Sequence, residues 1–267
     1  MSAARAGRSE ASTPWLLAEP DPDAEMRVFL FPYSGCGASM FQRWPTVRGG
    51  VELLRVQFPN RENRTREPHF GTYEQLADAL VPGIAEHLDR PYAFFGHCGG
   101  VLPAYESALR AAELGLRTPT TFVASSQVVP HHGPHGRFLW LSEGELDDEI
   151  RTLLRRTAGR DTFPEEIIEI VRGILDADLE ANRRYAKHVA TPLASRVHAI
   201  GWDDDVEVPS ELMSAWAECD GLGELAGHAV LHGDHYTFLN APEPLLELIE
   251  KALRRTASAE RSENAYR

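Results

Sequence analysis

Tyr92-Ala93-Phe94-Phe95-Gly96-His97-Cys98-Gly99-Gly100 is the stretch on which the fold turns. An apolar run enters Gly-x-Cys-x-Gly, and an apolar helical pattern over residues 101–109 follows at once. This predicts a buried strand, a sharp turn and a helix, with glycines on both sides of the central residue letting strand and helix approach closely. The turn would lift Cys98 above the sheet edge near a helix N-terminus, a setting that stabilises a thiolate or a developing oxyanion. The same five residues also suit a cysteine that is merely a small buried hydrophobe. The rest of the chain has to decide.

Working outward, strands are expected at 26–31, 51–58, 120–126, 196–201 and 229–231. Between them lie helical patterns at 72–88, bent at Pro82, and at 101–112, with a short helix at 40–44. Alternating strands and helices imply a mostly parallel sheet covered on both faces. The rhythm breaks after the strand at 120–126. Residues 129–142 are irregular, and 145–157, 164–175 and 177–188 are helical in pattern. So long a strandless stretch reads as a helical lid inserted over the sheet edge from which Cys98 emerges. A short helix at 209–218 and a final one at 242–253 complete the chain. The domain plan is a flexible leader (1–24), a core in two parts (25–128 and 191–256), a lid (129–190) and a flexible tail (257–267). The fold class is α/β, of the α/β-hydrolase type.

The composition is that of a globular protein, 43% apolar and 25% charged. A net charge of −13 argues against nucleic acid as the main partner. Three cysteines, Cys36, Cys98 and Cys219, make neither a disulfide framework nor a C-x-x-C metal pair. His131, His132 and His135 lack carboxylate or thiol ligands in register, so no metal is expected. No signal-peptide core and no long apolar span is present, which predicts a cytoplasmic protein without membrane contact.

Three residues then fall in the chain order of α/β-hydrolases: Cys98, an acidic cluster after the penultimate strand, and His235 after the last. A nucleophile needs a base to take its proton, and the base needs a carboxylate to hold its tautomer. Asp205 is favoured as that acid and Asp204 is the alternative, while Asp203 belongs to the same run. The oxyanion hole is expected from the backbone N–H of Gly99 and of Ser34 in the glycine-rich loop after the first strand. His228, His232 and Asp234 read as local structure around the base. Arg61, Arg64 and Arg66 read as a solvated loop or as a basic rim for a phosphate group. Tyr33, Phe41, Trp140 and Tyr236 are pocket or core candidates.

With these motifs quoted, the chain resembles the type II thioesterases of polyketide and nonribosomal peptide biosynthesis. Phe31-Pro32-Tyr33-Ser34-Gly35, Phe58-Pro59-Asn60-Arg61, Glu67-Pro68, the elbow, Val208 with Trp216, and Gly233-Asp234-His235-Tyr236-Thr237-Phe238-Leu239 carry the likeness over residues 26–256. The resemblance implies a mobile lid over an acyl pocket and a substrate held as a thioester on the phosphopantetheine arm of a carrier protein. It implies no further cofactor. The family usually has Ser at position 98 and a bulkier residue, often Met, at 99. Cys98 therefore raises the expectation of an acyl-Cys98 intermediate leading to hydrolysis. The alternatives are Cys-dependent transfer of acyl or aminoacyl groups between carriers, and a noncatalytic carrier-binding protein.

Overall fold

The uninterrupted apolar runs become strands buried on both faces, as parallel sheets covered by helices require. The computed structural model describes residues 13–223 and 226–265, with side chains as far as 259. Strands β1 (Met26–Phe31), β2 (Val47–Arg48), β3 (Val51–Arg55), β4 (Tyr92–His97), β5 (Thr121–Ser125), β6 (Arg196–Trp202) and β7 (Gly227–Leu231) form one sheet, in the order β2-β3-β1-β4-β5-β6-β7. All neighbours are parallel except the short pair β2 and β3. The side chains of β1 divide by alternation. Val28 and Leu30 join one core cluster, and Phe29 and Phe31 join the other.

The helices are α1 (Tyr73–Ile84), α2 (Val101–Glu113), α3 (Glu143–Ala158), α4 (Glu165–Arg184) and α5 (Glu243–Ala265). α1 begins with a capping box, in which Thr72 and Gln75 satisfy each other's backbone N–H. Pro82 lies inside its last turn, where the chain tightens into a 3-10 turn at Ala85–His87. α3 and α4 form the lid. Ile150, Leu153, Leu175 and Leu179 pack into the cluster that also contains Val28, Leu30 and Cys98. This is the α/β-hydrolase arrangement with an inserted helical lid. The strand order reverses between β3 and β4 on either side of β1, so the loops leaving β1 and β4 diverge at the switch point where open sheets bind ligands.

Several boundaries differ from the sequence reading. α4 is continuous across the expected break near 176, because its buried stripe runs through Asp178 and Asn182 as well as Leu175 and Leu179. Residues 210–219 form 3-10 turns. α5 extends well beyond 253. Of the expected leader, 1–12 lie outside the described residues. Trp15 and Leu16 are buried in the second cluster, and Leu16 bridges to Val56. Among the described residues no helix is long and apolar enough to cross a membrane.

Candidate active site

β4 ends at His97, and Cys98 takes a φ of +47°, a left-handed backbone that a side-chain-bearing residue keeps only where its surroundings over-determine it. The flanking glycine shows how tight the turn is. A Cβ at Gly96 would lie 2.5 Å from the Gly100 carbonyl oxygen and 2.6 Å from Val101 Cα. A 3-10 turn at Cys98–Gly100 leads straight into α2, so the site lies at a helix N-terminus. Cys98 is 9% exposed and lines a small cleft with Tyr33, Ser34, Gly99, Leu179 and Glu207. Ser34 and Gly99, the two expected oxyanion residues, thus border one space. Ser34 Oγ occupies the position that a side chain at 99 would need, 2.0 Å from the ideal Cβ. A larger residue at 99 would require the Ser34 hydroxyl to turn away.

His235 is buried in the loop after β7, and its Nδ1 lies 2.9 Å from Asp205 Oδ2. Asp205 Oδ1 accepts the backbone N–H of Glu207 and of Val208. Asp203 and Asp204 are exposed. Asp203 contacts His232 and the Gly233 N–H, while Asp204 gives its own N–H to the Gly233 carbonyl. The structure therefore separates the two acids that spacing left open, with Asp205 the one against the imidazole. Asp234 faces away from the base. It accepts the N–H of Tyr236 and pairs with Arg156 of the lid.

The electrostatics follow from these contacts. Burial alone would raise the Asp205 carboxyl, but the hydrogen bond and charge of His235, with the Ser126 hydroxyl and the Val208 N–H, hold it well below the usual range. Burial opposes a charged His235. The charge of Cys98 and the hydrogen bonds of Asp205 and Cys98 outweigh it, and the imidazole is pushed up to about 10. The far nitrogen, Nε2, faces the Tyr33 hydroxyl at 3.4 Å and Glu207 Oε2 at 3.6 Å. Burial raises the Glu207 carboxyl. His97 stacks on Phe238, with ring centroids 3.8 Å apart.

The model of the thioesterase domain family matches residues 26–253. The chain belongs to that family. It is 31% identical to the linear gramicidin dehydrogenase LgrE of Brevibacillus parabrevis over 90% of this chain and 92% of the other. It is similar in structure to RedJ, a thioesterase of the prodiginine pathway of Streptomyces coelicolor, with 32% identity and a TM-score of 0.75 over 94% of this chain and 98% of RedJ. It is also similar to BorB, a type II thioesterase of the borrelidin cluster, with 25% identity and a TM-score of 0.76 over 92% and 100% of the two chains. Among other curated relatives are longer synthetases, of which the chain spans 11–15%.

In this thioesterase the expectation of an acyl-Cys98 intermediate is corrected. Serine oxygens are bound into the polar network around the base. Ser126 Oγ donates to Asp205 Oδ2 at 2.7 Å, and Ser125 Oγ lies 2.9 Å from His97 Nδ1. The contacts joining His97, Ser125, Ser126 and Asp205 point to the serine chemistry usual in the family. The type II thioesterase assignment stands, and the covalent thiol step is withdrawn.

Other expected residues are placed as follows. Arg61 and Arg64 form neither a solvated loop nor a phosphate rim. Both are buried, Arg61 against Asp178, and Arg64 against Glu67 and the Trp15 ring. Phe41 is core and Trp140 is exposed, while Tyr33 and Tyr236 come together beside His235. Sequence reasoning missed Ser126, Glu207 and Asp178. Two serines closing the apolar run of β5 were the signal for the first. A larger cavity of about 260 Å³ lies between the loop after β1 and the lid, lined by Gly35, Cys36, Met40, Leu154, Val171 and Ile174.

Proposed function

We propose that this thioesterase hydrolyses acyl or aminoacyl thioesters held on phosphopantetheine arms of carrier proteins, in cytoplasmic polyketide or nonribosomal peptide biosynthesis. The observation that carries the reading is the Asp205–His235 pair set behind a cleft bordered by Ser34, Cys98 and Gly99. The relatives that act in the prodiginine and borrelidin pathways support the setting.

In this proposal Asp205 fixes the His235 tautomer, with Nδ1–H toward the carboxylate and Nε2 toward the cleft. Nε2 accepts the proton of the attacking oxygen as that oxygen bonds to the thioester carbonyl carbon. The backbone N–H groups of Ser34 and Gly99 stabilise the oxyanion that forms. Collapse breaks the carbon–sulfur bond, and the imidazolium returns its proton to the departing pantetheine sulfur. Attack by a serine hydroxyl leaves an acyl-serine, which water then attacks with the same two proton transfers through His235, so that one water is consumed and a free acid and a carrier thiol are released. Cys98 remains in the proposed site as the side chain at the turn, with no covalent step assigned to it. Sulfur at 98 was the argument for transfer between carriers, so withdrawal of the thiol intermediate leaves hydrolysis as the favoured reading.

The test uses one acyl-loaded carrier and one empty carrier. Free acid accumulating in proportion to enzyme, with the second carrier still empty by intact mass, is the expected result. Loading of the second carrier ahead of acid release would replace hydrolysis by transfer.

A further inference from the structure

The lid helix α4 carries a buried carboxylate that the reaction scheme does not use. Asp178 is 3% exposed, and its two oxygens are fully engaged. Oδ2 accepts the backbone N–H of Gly35 at 2.8 Å and Nη1 of Arg61 at 3.0 Å. Oδ1 accepts Nη2 of Arg61 at 2.9 Å and faces His69 Nε2 at 2.8 Å. Arg61, 2% exposed, completes the arrangement by donating to the carbonyls of Cys36 and Pro59. A lid residue is thereby bound from both sides to the loop that follows β1.

Gly35 directly follows Ser34, one of the two residues assigned to the oxyanion hole. It holds a φ of +76°, and a Cβ there would lie 3.2 Å from Leu175 Cβ. Leu175 and Asp178 are three residues apart and share a helix face. Leu179 and Asn182, on the neighbouring rows of that face, line the cleft beside Cys98 and Gly99. One stripe of α4 therefore packs on the loop, binds its N–H and walls the reaction space. Burial alone would raise the Asp178 carboxyl, but Arg61, His69 and the Gly35 N–H hold it down at about 2, so the hub is anionic at any working pH.

We propose that Asp178 is a positioning residue: it holds the loop after β1 in the conformation that aims the Ser34 N–H at the oxyanion, so that the hole is complete only when α4 is seated. The inference rests on the hydrolytic reading above. Its consequence is a lid that gates chemistry as well as access. A thioester bound with α4 displaced meets the Gly99 amide without its partner. Hydrolysis then waits for the lid to return and exclude water.

The test compares the wild type with Asp178→Asn, and with Asp178→Asn/Arg61→Gln, which removes both buried charges so that an unpaired guanidinium does not unfold the chain. The substrate probe is an acyl N-acetylcysteamine thioester. The expected result is a kcat lower by about tenfold or more in both variants, with KM changed by less than about threefold, because an oxyanion donor acts on the transition state. Amide exchange over residues 33–41 should quicken while residues 93–97 stay protected. A kcat within about twofold of wild type, or a rise in KM alone, would overturn the proposal. So would unchanged exchange at 33–41. If the wild type releases no free acid from an acyl-loaded carrier either, the functional reading falls, and the exchange comparison still decides whether Asp178 holds the loop.

Discussion

Asp204 and Asp205 are adjacent in sequence and opposite in environment. One is exposed and the other lies 2.9 Å from His235 Nδ1. Asp205→Asn keeps the shape and reverses the hydrogen-bond preference, which favours the wrong imidazole tautomer. It should lower kcat by about 10³-fold or more. Asp204→Asn should stay within about twofold of wild type, as exposed substitutions do. Steady-state hydrolysis of one thioester by both variants checks this, and equal losses would remove Asp205 from its role. Gly99 offers a second test. Its missing side chain is replaced by Ser34 Oγ, so Gly99→Ala should destabilise the protein and slow hydrolysis. Ser34→Ala keeps the backbone N–H and should leave hydrolysis nearly intact. Combined, the two should fall short of additivity by about 0.5–3 kcal/mol, measured by denaturant unfolding. Additive effects would mean that Ser34 does not fill the space at 99.

At the scale of elements, the strand–turn–helix around Cys98 was legible because several local signals agreed: an apolar run, paired glycines and an apolar helix start. The continuity of α4 was not: it was read as two helical patterns, 164–175 and 177–188, because its buried stripe includes Asp178 and Asn182, and a carboxylate at a core position interrupts the apolar period from which helices are read. The guanidinium that permits that burial lies far away in sequence, at Arg61. The same blindness put Arg61 and Arg64 in a solvated loop or a basic phosphate rim, whereas both are buried. Two substitutions compare the strength of local signals. Thr72→Ala removes half of the α1 capping box and should cost about 1 kcal/mol. Gly96→Ala drives a Cβ into backbone at 2.5 Å, where no side chain can rotate away, and should cost more than about 3 kcal/mol or leave no folded protein. Urea unfolding of the two variants gives the ranking. A Gly96→Ala protein as stable as Thr72→Ala would show that the elbow is looser than its contacts imply.

For the whole molecule, the sheet was predictable in strand number and direction apart from β2, a two-residue edge strand too short to carry a period. Of the candidate site, the chain order pointed to an imidazole with a carboxylate beside it, and His235 lies against Asp205, while the thiol expected to act with them was corrected. The acid that touches the base, the serine behind it and the lid carboxylate on the oxyanion loop needed the closed fold, because each contact joins segments far apart in the sequence. Those contacts also set how global stability depends on pH. The His235 imidazole rises from 6.5 to about 10 in the folded chain, so its contribution is complete below about 6.5 and is lost as pH rises through about 10. The Asp178 carboxyl falls from 3.8 to about 2, so its contribution is complete above about 4 and is lost as pH falls through about 2. Burial also holds His97 and His198 below the ordinary imidazole value, His198 at about 4, so their contribution fades as pH falls from about 6.5. The melting temperature should therefore be highest near about pH 6.5 and decline on both sides. His235→Gln should flatten the alkaline limb, and Asp178→Asn the acid limb, each leaving the other in place. Scanning calorimetry from pH 3 to 10 measures both limbs. An alkaline decline of unchanged slope in His235→Gln would show that the buried imidazole at the centre of the site is not what links folding to protonation there.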